Sequence, residues 1–214
     1  MKKILLTIAA IVFVIGNSNA QDNNAAQGNG ADSREKLQLG LKAGVNLSNV
    51  YDAQGEEFKA DSKFGFVAGV FLTIPIGKYL GIQPEILFSQ KGFQATGKIL
   101  GMAYTFTRTS NFIDIPVLIQ LKPLASVTFL VGPQFSYLIK QRDKFANALM
   151  ETQFTNDNIR KNILCFIGGA DINLEHFVFG ARVGWDVTKN NGDGTSTTPR
   201  YKNVWYQATL GFKF

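Results

Sequence analysis

From residue 37 to its last residue the chain alternates apolar and polar side chains with a period of two. This is the period of a β-strand with one face set apart from the other. In LQLGLKAGVNLS the apolar positions are Leu37, Leu39, Leu41, Ala43, Val45 and Leu47. At the other end Val204, Tyr206, Ala208, Leu210, Phe212 and Phe214 alternate with Trp205, Gln207, Thr209, Gly211 and Lys213. Between these two segments the same pattern predicts strands over 62–75, 79–91, 103–122, 126–139, 162–174 and 176–188. The total is eight, an even number.

The connections add an independent constraint. Those near 76–78, 123–125 and 174–176 are tight, whereas 49–61, 92–102, 140–161 and 189–200 are longer and polar. Short and long links alternate strictly, as they do in outer-membrane barrels with periplasmic turns and external loops. An even strand number then puts both ends of the barrel on the periplasmic side.

Alternation alone does not say which face points outward, because a soluble ligand-binding barrel also alternates. Here the polar face is rich in glycine, at Gly40, Gly44, Gly65, Gly69, Gly81, Gly132, Gly180, Gly184 and Gly211. Glycine suits places where backbones crowd or a barrel wall bends, as inside a narrow tube. The other face carries Phe, Leu, Ile and Val, which suits hydrocarbon. Tyr79, Tyr104, Tyr137, Trp185, Trp205 and Tyr206 gather near strand ends, as interfacial girdles do, although Trp205 has lumen parity. The expected fold is an all-β, eight-stranded antiparallel up-and-down transmembrane barrel, since only helices and closed barrels satisfy every backbone polar group in lipid.

The first twenty residues read as an export signal. Lys2 and Lys3 precede the apolar run 4–16, and Ser18-Asn19-Ala20 forms a small-x-small cleavage site. Residues 21–36, without aromatic or β-branched side chains, read as a flexible periplasmic leader, and 37–214 as the barrel. Losing Lys2 and Lys3 lowers the formal charge of +6 by two, and no run of five basic residues exists, so nucleic acid is not an expected partner. One cysteine and one histidine leave a disulfide framework or a His-rich metal site without members.

The runs GLKAGVNLS, LGIQPEILFSQKGF, FIDIPVLIQLKP, FLVGPQFSYLI and FGARVGWDVT resemble the PorT-like outer-membrane β-barrel family of Bacteroidota, over 37–214 and in the same order. The ending YQATLGFKF is similar to barrel C-termini whose last aromatic, here Phe214, is read by the barrel-assembly machinery. The resemblance implies an outer-membrane location, lipid contact and, from the family's namesake, a link to protein secretion. It brings no catalytic residue set.

Parity assigns to the lumen Lys42, Asn46, Gln83, Glu85, Ser89, Asp114, Gln120, Lys122, Gln134, Asp171, Asn173, Arg182, Asp186 and Gln207. Counted from the nearest tight turn, Glu85, Asp114 and Arg182 fall at mid-depth, so Arg182 is expected to pair with Glu85, Asp114 or both; an unpaired charge there is costly. Eight strands enclose only enough room for side chains, which favours a plug over a selectivity filter or proton relay. His176 falls in a tight periplasmic turn, away from any external rim chemistry, and Cys165 has lumen parity. No cofactor, metal or enzymatic activity is expected. In the longest link, Phe145, Leu149, Met150 and Phe154 recur at helical spacing. Two readings are open for it: a short helix capping the mouth, or a surface that binds an envelope or secretion partner. The expected function is a structural or partner-docking barrel. The alternative is a narrow porin or small-molecule transporter.

Overall fold

The computed structural model describes residues 32–51, 59–99, 102–147, 151–155, 161–189 and 201–214. They form nine strands: β1 (Gln38–Tyr51), β2 (Lys59–Pro75), β3 (Leu80–Ile99), β4 (Met102–Leu124), β5 (Val127–Asn147), β6 (Glu151–Thr155), β7 (Asn162–Leu174), β8 (Phe177–Asp186) and β9 (Lys202–Lys213). All pairings are antiparallel. β6 pairs with Arg142–Ala146 of β5, and β7 with Val127–Tyr137 of the same strand, so β6 and β7 occupy one stave. Pairing of β1 with β9 and of β4 with β5 closes a ring of eight staves, the expected barrel.

Three short turns, 76–79, 125–126 and 175–176, lie at the end where the barrel begins and finishes. There the Phe214 amide donates to the Leu39 carbonyl at 2.9 Å and the Lys213 amide to that of His176 at 2.7 Å. Short turns mark the periplasmic rim.

Burial alternates residue by residue. In β8, Val178, Gly180, Arg182, Gly184 and Asp186 face inward, and Phe177, Phe179, Ala181 and Trp185 face out. Large apolar side chains that a water-soluble protein would bury stand on the outside: Leu41 is 50% exposed, Ile119 58% and Phe129 50%.

β3 and β5 run well past their expected ends, to Ile99 and Asn147, while β4 keeps close to the 103–122 expected of it. β4 has 23 residues and β5 has 21, against the ~9–11 that cross a bilayer. The described residues of the links expected at 49–61 and 92–102 are therefore strand: β1 continues to Tyr51, β2 begins at Lys59, β3 continues to Ile99 and β4 begins at Met102. Over 140–147 and 151–155 the longest link is strand, and not the short helix of one of the two readings. Phe145 lies in β5 opposite Phe106, and Phe154 lies in β6 opposite Asp143, while Leu149 and Met150 fall outside the described residues. The reason is backbone demand: the protruding part of β5 presents a row of amides and carbonyls that a neighbouring strand satisfies and a helix does not.

Polarity inverts along these long strands while the alternation continues. Within the bilayer band the outward residues are apolar and many inward ones polar. Above it Gln94, Thr96, Thr105, Thr107, Thr109 and Asn111 face out, and Phe93, Ala95 and Phe106 pack inward with Tyr201. Lipid solvates the first section and water the second.

Candidate functional site

The inward face of the barrel is one continuous packed column, in which four levels follow one another from the periplasmic mouth. At the mouth, a short 3-10 turn (Ser33–Glu35) lays Arg34 across the opening. Its guanidinium holds Asp32 at 2.6 Å, lies 5.4 Å from the centre of the Tyr79 ring and reaches the carbonyls of Lys122 and Pro123. Lys122 Nζ donates to the Arg34 carbonyl at 2.6 Å. The hydrogen bonds from Arg34 hold the Asp32 carboxyl well below its ordinary range. Behind the strap lies a cavity of about 30 Å³, lined in part by Thr73, Gln83, Asn173 and Lys213, with room for little more than water.

Above this cavity Arg182 Nη1 donates to both Glu85 oxygens at 2.8 and 2.9 Å, and Nη2 to Asp171 at 3.2 Å. Lys42 Nζ donates to Glu85 Oε1 at 2.8 Å and Gln83 Nε2 to the same oxygen at 2.6 Å. Two cations face two carboxylates, all four side chains at most 7% exposed. Neutrality at this level is what makes burial of the charges tolerable.

The third level is mixed. Lys91 Nζ lies 2.9 Å from Asp114 Oδ2 and 3.7 Å from the centre of the Trp205 ring. Asp114 also accepts from Ser136 Oγ at 2.6 Å, and Gln134 Nε2 donates to Ser136 at 3.0 Å. Cys165 Sγ sits 3.2 Å from Asp186 Oδ1, and Asp186 Oδ2 accepts from the backbone and side chain of Asn203 at 2.8 and 2.6 Å. Around these groups Phe112, Leu118, Leu130, Leu138, Ile163, Ile167 and Trp205 form an apolar cluster inside the tube. Gly184 makes room for the indole: a Cβ there would collide with Trp205 Cζ2.

At the top Arg108 grips Asp143 with two bonds of 2.7 and 2.6 Å and donates to the Tyr201 hydroxyl at 2.9 Å. The rings of Phe93, Phe106 and Tyr201 surround the guanidinium at 5.2–5.8 Å. The carboxylate is held by the planar fork that suits arginine to such pairs.

All six expected lumen residues, Lys42, Glu85, Asp114, Gln134, Asp171 and Arg182, are buried in the column. Arg182 meets Glu85 as expected; its second partner is Asp171, and Asp114 instead belongs to Lys91. Lys91, Arg108, Asp143 and Tyr201 were not among the expected residues. Lys91 closes the segment read as strand over 79–91 and Arg108 lies within the one read over 103–122, whereas Asp143 falls in the link 140–161 and only the extended β5 brings it inside. The apolar cluster was missed for another reason: lumen parity held for Phe112, Leu118 and Ile163 too, but apolar residues drew no attention there. His176 does sit in the periplasmic turn, its ring stacked on Phe212 at 5.5 Å and its Nδ1 3.0 Å from the Lys213 carbonyl. Phe214 is exposed at the periplasmic rim.

Residues 19–190 match the family described as outer membrane protein beta-barrel domain. The chain belongs to this family. As an outer membrane barrel it is similar in structure to Ail, the attachment invasion locus protein of Yersinia pestis, at 15% identity and a TM-score of 0.47, over 84% of this chain and 99% of that one. It is similar to Neisserial surface protein A at 11% identity and a TM-score of 0.49, over 84% and 100%. It is similar also to the outer membrane protease OmpT from Escherichia coli, at 10% identity and a TM-score of 0.43, over 83% and 95%. No curated protein matches the chain. The location of this outer membrane barrel follows from its family: the cell outer membrane.

Proposed function

We propose that this barrel serves the outer membrane as a structural and partner-docking element with a closed lumen. The observation that carries the reading is the column of interlocked side chains, from the Arg34 strap to the Arg108–Asp143 pair. A solute would have to break buried ion pairs and displace Trp205 to pass. What the barrel offers instead is the wall formed by β3, β4, β5 and β6 beyond the bilayer, which presents a surface where partners can reach it. Of the docking surface proposed from Phe145, Leu149, Met150 and Phe154, Phe145 belongs to β5 and Phe154 to β6 of this wall, and Leu149 and Met150 lie outside the described residues. The resemblance to PorT-like barrels supports an envelope or secretion protein as the partner. Residues 1–20 act as the export signal, 21–36 as the leader, and Phe214 as the residue read by the assembly machinery.

Two measurements test the reading. In planar bilayers the purified protein is expected to give no stable conductance; steady, ion-selective steps would make it a narrow porin. In intact envelopes, cross-linking is expected to capture a partner with the wild-type chain and to lose it when residues 145–154 are replaced by a short Gly-Ser turn. Capture that survives this replacement removes the docking surface from the proposal.

A further inference from the structure

We infer that the cavity behind the Arg34 strap is a binding site for a halide-sized anion, held between Lys122 and Lys213. Strand parity makes these lysines the last inward residues of β4 and β9 at the periplasmic end. β4 and β9 stand opposite each other in the ring of staves, so the two side chains reach one cavity from facing walls. A lysine at such a rim ordinarily sends its ammonium out to water. Here the strap lies over the mouth, and the two lysines are only 3% and 8% exposed. Lys122 Nζ donates to the Arg34 carbonyl and Lys213 Nζ to Asn173 Oδ1 at 3.0 Å. Among the described residues neither ammonium has an ion pair.

Charge and volume select the occupant. Arg182 and Lys42 balance Glu85 and Asp171, the acid that also lines the cavity. Arg34 and Lys78 take Asp32 of the strap, and Glu35 is exposed. Both lysines are therefore left without a counter-charge around one cavity, and buried charges so placed are costly. An anion there meets the remaining protons of both ammoniums and the Thr128 hydroxyl, whose oxygen already accepts from Asn173 Nδ2. About 30 Å³ is room for a chloride and one water against the unpartnered Gln120 Oε1. A phosphate or a peptide carboxylate needs more room than the closed strap leaves. Because Lys122 also carries the strap, anion binding and strap closure support each other.

The test uses the full-length chain, exported, extracted from outer membranes and folded in detergent. Crystals grown in sodium bromide are expected to show an anomalous peak between Lys122 Nζ and Lys213 Nζ. In solution, amide exchange at Arg34 and Glu35 is compared in sodium chloride and in sodium gluconate of equal ionic strength, gluconate being too large for the cavity. Exchange is expected to slow with saturation as chloride replaces gluconate, by about fourfold at about three times the Kd. Lys213→Met leaves the bond from Lys122 to the Arg34 carbonyl in place. It is expected to abolish the bromide peak and make the strap indifferent to the salt, while its unheated band still migrates as a folded barrel. Lys122→Met, on the facing wall, is expected to abolish the peak as well. Crystals of the wild-type protein without bromide between the two lysines overturn the proposal. So does equal wild-type exchange in the two salts, or a folded Lys213→Met protein that keeps the chloride response.

Discussion

Between the lower lumen, around Glu85, and the upper lumen, around Arg108, the chain passes from a tube surrounded by hydrocarbon to one surrounded by water. In the lower section Arg182, Lys42, Glu85 and Asp171 form a neutral cluster inside a wall whose outer residues are apolar. In the upper section one arginine and one aspartate are wrapped by Phe93, Phe106 and Tyr201, inside a wall whose outer residues are Thr, Asn, Lys and Arg. The same period-two strands thus carry opposite polarities at their two ends. Solvent outside the wall decides which face is apolar; geometry decides only that the faces alternate.

The comparison predicts that the two arginines differ in what their loss does. Arg182→Ala takes the ion-pair partner from Asp171 and leaves Glu85 with Lys42 alone, one uncompensated charge at the centre of the barrel, and is expected to cost about 3–5 kcal/mol, read as a lower urea midpoint and loss of the heat-resistant folded band. A band as resistant as the wild type's would break the comparison at its strongest point.

At the level between them, Lys91→Met leaves Asp114 buried beside Ser136 and is expected to cost about 3 kcal/mol. Because the loss arises from a stranded charge, Lys91→Met/Asp114→Asn should recover most of it, and a double-mutant cycle measures the coupling directly. Simple additivity would show that Lys91 acts through its packing on Trp205 instead.

Arg108→Ala acts on a section that stands outside the bilayer and unfolds locally. A cost of about 1–3 kcal/mol is expected, seen as faster hydrogen exchange over residues 105–111 and 140–146 with the global urea midpoint little changed. A midpoint shift as large as that of Arg182→Ala would mean that the two sections melt as one.

The smallest effect belongs to the strap. The Asp32 pKa is depressed in the folded protein, so its contribution is present above its ordinary value of 3.8 and is lost as pH falls through the lower folded value. Barrel stability should therefore show no Asp32-linked change from pH 7 to about pH 4. Asp32→Asn at pH 7 should speed exchange at residues 33–36 without moving the barrel's melting. Protection that fades already near pH 6 would assign the strap to another group.

Much of the barrel could be read from the chain because side-chain parity survives without any knowledge of neighbours. Lys42, Glu85, Asp114, Gln134, Asp171 and Arg182 were placed inside by counting alone. Pairing was less accessible. Glu85 and Arg182 are 97 residues apart in sequence, and choosing Asp171 rather than Asp114 as the second partner depends on strand stagger around the ring. The upper ends of β3 and β5 escaped notice because Gln94, Thr96, Lys140 and Arg142, on their outward faces, lack the apolar signal that marks a strand facing lipid.

The sequence by itself determined the alternation, the even number of staves, the tight turns and the inward set of polar residues, since each is local along the chain. Tertiary structure decided how far the strands continue, that residues 140–147 and 151–155 of the longest link are strand rather than helix, and which charge meets which. Those outcomes depend on the register between staves and on the medium outside the wall, and neither is written in any single segment.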